Sequence, residues 1–184
     1  MTTDKIDRAR NFAHVAHDSI GQKRKYSGEP YWVHTDEVAK IVHDDVFHRL
    51  TELENLVCAA HLHDVLEDVA TESTDYSVHV LYGLFGAEIT ALVVQLTDVF
   101  TKDAYPHLNR AQRKAAECQR WAVCSPEAKT IKLADLISNS RDILERDPKF
   151  AVTYLAEKNE LLKVLVGGSP FLMEQARKII GKSC

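Results

Sequence analysis

The sequence predicts an all-α fold, on three observations. Apolar residues recur at helical spacing almost throughout, strand-like alternation is nearly absent, and the breaks between periodic runs carry turn and cap residues. Ile6, Ala9, Phe12, Ala13 and Ala16 form one stripe and predict a helix over 4–20. Val38, Ile41 and Val42 form a second over 35–44, after the loop that holds Ser27-Gly28-Glu29-Pro30. A third helix is predicted over 50–69, rich in leucine, valine and alanine from Leu56 onward. Segments 75–83 and 86–98 follow, parted at Phe85-Gly86, and then 108–123. Ser125-Pro126-Glu127 reads as an N-cap with proline at the first helical position, which starts 126–136. Segments 138–145, 148–165 and 169–180 complete the chain, with breaks at Asp147-Pro148 and Gly167-Gly168-Ser169-Pro170. The expectation is a compact helical fold of about 8–10 helices.

With 184 residues, 45% of them hydrophobic, the chain is long enough to bury a core and is expected to form one domain over 1–184. A net charge of −4 and a pI near 6.1 give no bulk attraction to nucleic acid or to an anionic membrane. A local basic pocket for a small anionic ligand stays open. Cys58, Cys118, Cys124 and Cys184 show no CxxC or zinc-ribbon spacing, and no signal peptide precedes Thr2, Thr3, Asp4 and Lys5. Reduced thiols and a cytoplasmic location are expected. The longest apolar stretches, such as Ile89 to Leu96, fall well short of the roughly 20 residues that a bilayer span needs.

The run 59 to 69, Ala-Ala-His-Leu-His-Asp-Val-Leu-Glu-Asp-Val, concentrates the chemistry. On a helix of about 3.6 residues per turn, His63 and Glu67 lie one turn apart, as do Asp64 and Asp68. Their apolar neighbours place these groups half in a core, where unpaired charge is expensive. A divalent metal with a bound water resolves the conflict. Two other pieces fit the same chemistry. Gly21-Gln22-Lys23-Arg24-Lys25 and Gly28-Glu29-Pro30-Tyr31-Trp32-Val33-His34 put cationic and amide groups before a histidine at a helix entrance. In Lys129-Thr130-Ile131-Lys132-Leu133-Ala134-Asp135, Asp135 interrupts an apolar helix face, and Asn139 follows one turn later. Two imidazoles and two carboxylates without thiolate suit Mn, Fe, Co, Ni or Zn in a catalytic rather than a structural site.

The order His34, His63-Asp64, Asp135 resembles the H…HD…D signature of the HD-domain metal-dependent phosphohydrolases, an all-helical superfamily. Four stretches narrow the resemblance: Gln22-x-Arg24-Lys25-x-x-Gly28-x-Pro30-Tyr31-x-x-His34, Ala59-Ala60-x-x-His63-Asp64-x-x-Glu67-Asp68, Phe85-Gly86, and Lys132-Leu133-Ala134-Asp135-x-x-x-Asn139. They look like the hydrolase domain of Rel/SpoT proteins, and a chain of this size is similar to the free-standing small alarmone hydrolases. The resemblance covers residues 5 to 145 by motif and the rest by helical character. It implies metal ligation by His34, His63, Asp64 and Asp135, with Mn2+ the usual ion. It implies catalytic roles for Glu67 and Asp68, and substrate contacts by Arg24, Lys25 and Asn139. The implied reaction is hydrolysis of the 3′-pyrophosphate of guanosine tetra- or pentaphosphate, ppGpp or pppGpp, with release of pyrophosphate and GDP or GTP.

Three departures stand out: Leu136 and a slightly longer connection over 69–84, which bear on the ligand pocket, and Thr35, a change expected to be local. The family commonly has Lys after the Lys-Leu-Ala-Asp aspartate where this chain has Leu136, which is expected to remove a cation from near the metal. It commonly has Pro after the first histidine, where this chain has Thr35. The alternatives are therefore the same fold acting on a ppApp-type alarmone or on the 2′-phosphate of NADPH, or a non-catalytic nucleotide-sensing module. The other histidines, His14, His17, His43, His48, His61, His79 and His107, read as structural or surface groups. His61 is at most a supporting neighbour of the site. Helices over 148–180 are expected to cover the core and can close the pocket, with Tyr154 a stacking candidate. The amphipathic stripe Phe171, Leu172, Ala176, Ile179 and Ile180 is compatible with packing on the domain or with a homo-oligomer. A small-molecule nucleotide is the expected partner, with no nucleic acid and no membrane, and 184 residues leave no room for a synthetase domain.

Overall fold

Helix α1 spans Thr2–Ser19, α2 Trp32–Val46, α3 Leu50–Leu62, α4 Val78–Phe85 and α5 Ala87–Leu96. Helix α6 spans Arg110–Ala122, α7 Pro126–Arg146, α8 Pro148–Leu162 and α9 Pro170–Ile180. The structure is a computed structural model that describes residues 2–46 and 50–181; His48 and Cys184 lie outside the described residues. Among the described residues there is no strand, and the one sheet-like contact is an isolated bridge between Lys23 and Pro30. The all-α prediction is met.

The helices fall into two compact units, Met1–Thr97 and Asp98–Cys184. In the first, α3 is central and packs against α1, α2 and α5, while α4 packs against α5. Its stretch Leu56, Val57, Cys58, Ala59 and Ala60 is buried, and the small alanines let neighbouring helices approach closely. The consequence for function is positional: the C-terminal end of this buried helix presents His63-Asp64 inside the unit. In the second unit, α7 packs against α8 and α9. Gly168 lies so close to α7 that an added Cβ would stand 3.0 Å from the Lys129 carbonyl carbon. The Lys129 ammonium donates to the carbonyls of Ala122 and Val166, at 3.0 and 3.2 Å.

Local cap chemistry sets the boundaries. Ser125 accepts from the Ala128 N–H, Asp147 from that of Phe150 and Ser169 from that of Leu172, each with a proline just inside the helix. Asn109 and Gln112 complete a capping box at the start of α6. Three expected boundaries are corrected. The helix expected over 50–69 ends at Leu62, and Val65–Val69 forms a π-helical turn, with the Ala70 N–H donating to the Val65 carbonyl. The segment at 75–83 divides into a 3-10 turn, Thr74–Tyr76, and α4. The segments 126–136 and 138–145 form the single helix α7, because its polar run is satisfied within the helix: the Asn139 amide donates to Asp135 Oδ1 at 2.6 Å.

Cys58, Cys118 and Cys124 are free thiols. Cys58 is fully buried, and burial pushes its thiol pKa up to about 12. No helix among the described residues is long and apolar enough to cross a membrane.

Candidate metal centre

The loop between α1 and α2 folds back on itself. The Arg24 N–H donates to the Glu29 carbonyl at 2.8 Å and the Tyr31 N–H to the Gln22 carbonyl at 3.1 Å. Gly21 and Gly28 make the reversals at φ of 61° and 73°, a region that a side chain disfavours. Gln22 and Tyr31 are thereby set side by side just ahead of His34, which sits buried in the first turn of α2.

His34, His63 and Asp64 come together in the first unit. Asp64 Oδ2 lies 2.9 Å from His63 Nε2 and 3.7 Å from His34 Nε2, and it accepts a 2.7 Å hydrogen bond from the Tyr31 hydroxyl. The His63 contact has a chemical consequence. His63 Nδ1 is 2.8 Å from the Ala60 carbonyl oxygen, which can only accept, so the ring proton is on Nδ1. In the neutral ring Nε2 is then a bare lone pair facing a carboxylate oxygen. Two acceptors at that separation, one of them on a buried ring, require a proton or a cation between them. A backbone carbonyl that fixes the tautomer of a ligating histidine is the usual support of a metal ligand. The donor set therefore fits a divalent cation, with Nε2 of His34, Nε2 of His63 and the Asp64 carboxylate offered to it.

Glu67 and Asp68 lie half-buried on the π-helical turn that follows. Such turns are often found at functional sites. The Asp68 N–H donates to the Asp64 carbonyl at 2.9 Å, so the two carboxylates keep the one-turn relation the sequence predicts. The Gln22 amide donates to Asp68 Oδ2 at 2.8 Å. Of the proposed substrate contacts, Arg24 is half-buried, whereas Lys25 is exposed with its ammonium 4.8 Å from the centre of the Tyr26 ring. Thr35 is buried and donates to the Trp32 carbonyl at 3.0 Å, so the change from proline is absorbed within α2.

His61 belongs to a different cluster. Its Nδ1 lies 3.3 Å from Asp36 Oδ1, an oxygen that also meets His14 Nε2 at 2.9 Å, while Arg10 grips the same carboxylate. Burial pushes the His61 pKa down to about 4 against the pull of Asp36.

In the second unit, Asp135 is buried and accepts from the Lys132 ammonium at 2.8 Å and from the Asn139 amide at 2.6 Å. Lys132 also lines a shallow cleft with Lys114, Lys158, Asp98, Glu117, Glu157 and Trp121. Burial and the neighbouring Lys132 and Lys114 push the Lys158 pKa down to about 8. Leu136, in contrast, is 1% exposed and packed into the core. The expectation that this position bears on a ligand gives way to a packing role.

Sequence reasoning passed over Tyr31 and Gln22 as functional groups, although both stand in the loop motif that it singled out. Their partners, Asp64 and Asp68, lie more than 30 residues away, 33 for the first pair and 46 for the second.

The HD domain family matches residues 9–163. Guanosine-3′,5′-bis(diphosphate) 3′-pyrophosphohydrolase MESH1 of Mus musculus is 35% identical over 136 residues, covering 73% of this chain and 67% of that protein. The MESH1 protein of Danio rerio is 32% identical over 139 residues, covering 76% and 69%. A solved structure described as a metazoan ortholog of SpoT that hydrolyses ppGpp superposes with a TM-score of 0.78 at 27% identity, covering 97% of this chain and 94% of that one. A match that begins in α1 and runs into α8 takes in every motif from the Gln22 loop to Asn139, and the chain belongs to the HD-domain family, among its MESH1-like hydrolases.

Proposed function

We propose that this chain removes the 3′-pyrophosphate of ppGpp and pppGpp, releasing pyrophosphate and GDP or GTP, in a reaction that depends on Mn2+. The observation that carries the reading is the contact between His63 and Asp64, a buried ring nitrogen 2.9 Å from a half-buried carboxylate oxygen, with the tautomer of the ring fixed by the Ala60 carbonyl. The MESH1 relatives and the structural likeness support the choice of substrate. We take the two units as parts of one HD-type catalytic domain, since the family match runs through both. Asp135 is the proposed fourth ligand beside His34, His63 and Asp64, on the strength of the Lys-Leu-Ala-Asp motif.

Held by His34, His63, Asp64 and Asp135, a divalent ion would supply a water of lowered pKa and polarise a phosphoryl oxygen. Glu67 deprotonates or orients that water, and Asp68, steadied by Gln22, assists the departing 3′ oxygen. Arg24 and Lys25 approach the nucleotide from the loop, and Asn139 the sugar or the adjoining phosphate. The chain works in the cytoplasm, and α9, with Phe171 58% exposed, offers a face for a second copy.

The test is a panel. Purified protein with Mn2+ is offered ppGpp, pppGpp, ppApp and NADPH, and the products are separated by chromatography. Pyrophosphate release from ppGpp supports the reading; release of monophosphate from NADPH, or no turnover at all, overturns it. Glu67→Gln removes a base and keeps the side chain's shape. It is expected to retain Mn2+ and to lose turnover by about 100-fold or more, the scale of general acid–base assistance. Loss of Mn2+ in proportion to activity would make Glu67 a ligand instead.

A further inference from the structure

His17, near the C-terminal end of α1, is fully buried and has a role in none of the chemistry above. Its Nδ1 lies 2.6 Å from Oε1 of Gln22, whose Nε2 donates to Asp68 Oδ2 at 2.8 Å. A carboxylate only accepts, so the Gln22 amide nitrogen must face Asp68 and its oxygen must face His17. An amide oxygen also only accepts, so the ring proton is on His17 Nδ1. The chain of donors has one direction, from His17 through Gln22 to Asp68.

This fixes the other nitrogen as a bare lone pair. His17 Nε2 is buried and has no hydrogen-bond partner among the described residues. Leaving such an acceptor unsatisfied in a protein interior is costly, so a donor is expected to meet it. The ring is one neighbour removed from the metal ligands: its centre is 4.9 Å from that of Tyr31, which holds Asp64 through its hydroxyl and whose ring is 5.5 Å from that of His34. Burial is the largest influence on its pKa and lowers it, ahead of the opposing effects of Gln22 and Asp64.

We propose that His17 is a positioning residue of the metal centre: its Nδ1–H acts through the Gln22 amide to fix Asp68, and its Nε2 lone pair accepts a hydrogen bond from the water shell of the ion held by His34, His63 and Asp64. The Gln22 amide holds the Asp68 carboxylate in place on the π-helical turn. The inference rests on the reading of Asp68 as a group that acts on water or on the leaving oxygen.

The test uses the full chain and reads both the ring and the rate. Nitrogen NMR of the wild type is expected to show His17 protonated at Nδ1, with the Nε2 resonance moving when diamagnetic Zn2+ is added. His17→Phe, which fills the space without either nitrogen, is expected to lower kcat 10- to 100-fold, the range for groups that support metal ligands, with KM changed less than about threefold. It should also weaken Mn2+ binding, whereas Gln22→Leu lowers kcat alone. His17→Asn, which keeps a donor toward Gln22, should recover part of the lost kcat. Because Gln22 is the link, adding His17→Phe to Gln22→Leu should lower kcat less than it does alone. A static Nε2 resonance on metal addition, or a folded His17→Phe with wild-type kcat, overturns the proposal. If His17→Phe does not fold, His17→Asn, Gln22→Leu and the wild-type spectra decide it. A wild type that responds to Zn2+ as expected but cleaves no member of the nucleotide panel would sink the substrate reading and leave the positioning role standing.

Discussion

His63→Ala is expected to abolish turnover and to weaken Mn2+ binding by more than about 100-fold, beyond the loss usual when only a supporting group of a metal ligand is removed. The reasoning starts from the 2.9 Å contact between His63 Nε2 and Asp64 Oδ2, with the ring proton committed to Ala60. With His63 neutral and no ion the two acceptors oppose each other; with an ion they share it. Adding Mn2+ should therefore raise the melting temperature of the wild type, by the equivalent of about 2.7 kcal/mol at a metal concentration 100 times Kd. The same addition should shift the melting temperature of His63→Ala by no more than the equivalent of about 0.4 kcal/mol. Asp135→Ala should follow His63→Ala in both measurements if Asp135 is the fourth ligand. Full Mn2+ occupancy with wild-type turnover in Asp135→Ala would show an ordinary buried carboxylate held by Lys132 and Asn139.

How much of this was legible in the sequence depended on the range of the interaction concerned. Helix starts at Ser125-Pro126, Asp147-Pro148 and Ser169-Pro170 were readable because a cap is chemistry between residues three positions apart. His34, His63 and Asp64 were readable as a set because their types, order and flanking residues make a motif. The end of α3 at Leu62 was not, since nothing in Ala-Ala-His-Leu-His-Asp breaks a helix. There the chain passes into a π-helical turn amid an unbroken apolar pattern. The division expected at 137 is not seen, and the hydrogen bond between Asn139 and Asp135 joins the polar residues there into one helix. The His17, Gln22 and Asp68 relay was out of reach because it joins α1 to a turn 46 residues beyond Gln22. Spacing along one element says nothing of such a pairing.

Leu136 marks the same limit from the other side, and it carries the second large expected effect. Read beside Asp135, it stood out as a missing cation; in the structure it is 1% exposed in the core of the second unit. Leu136→Lys should then not improve phosphate binding. It puts an ammonium where a leucine packs and removes apolar contacts, a combination expected to cost at least about 3 kcal/mol. In a chain of this length that lowers the melting temperature by roughly 10 °C. Leu136→Met, which keeps the apolar volume, should cost less than about 1.5 kcal/mol. The pH dependence has a definite sign. Burial lowers the folded-state pKa of the new lysine below its unfolded value near 10.4, so the unfolded chain binds more protons between the two. Stability of Leu136→Lys relative to the wild type should therefore rise with pH through that interval, and the deficit should narrow as pH approaches about 10. Thermal melts of the three proteins at neutral and alkaline pH read this directly, and ppGpp kinetics on the folded fraction should give the wild-type KM. An unchanged melting temperature with a lower KM for ppGpp would mean that the side chain at 136 reaches the ligand after all.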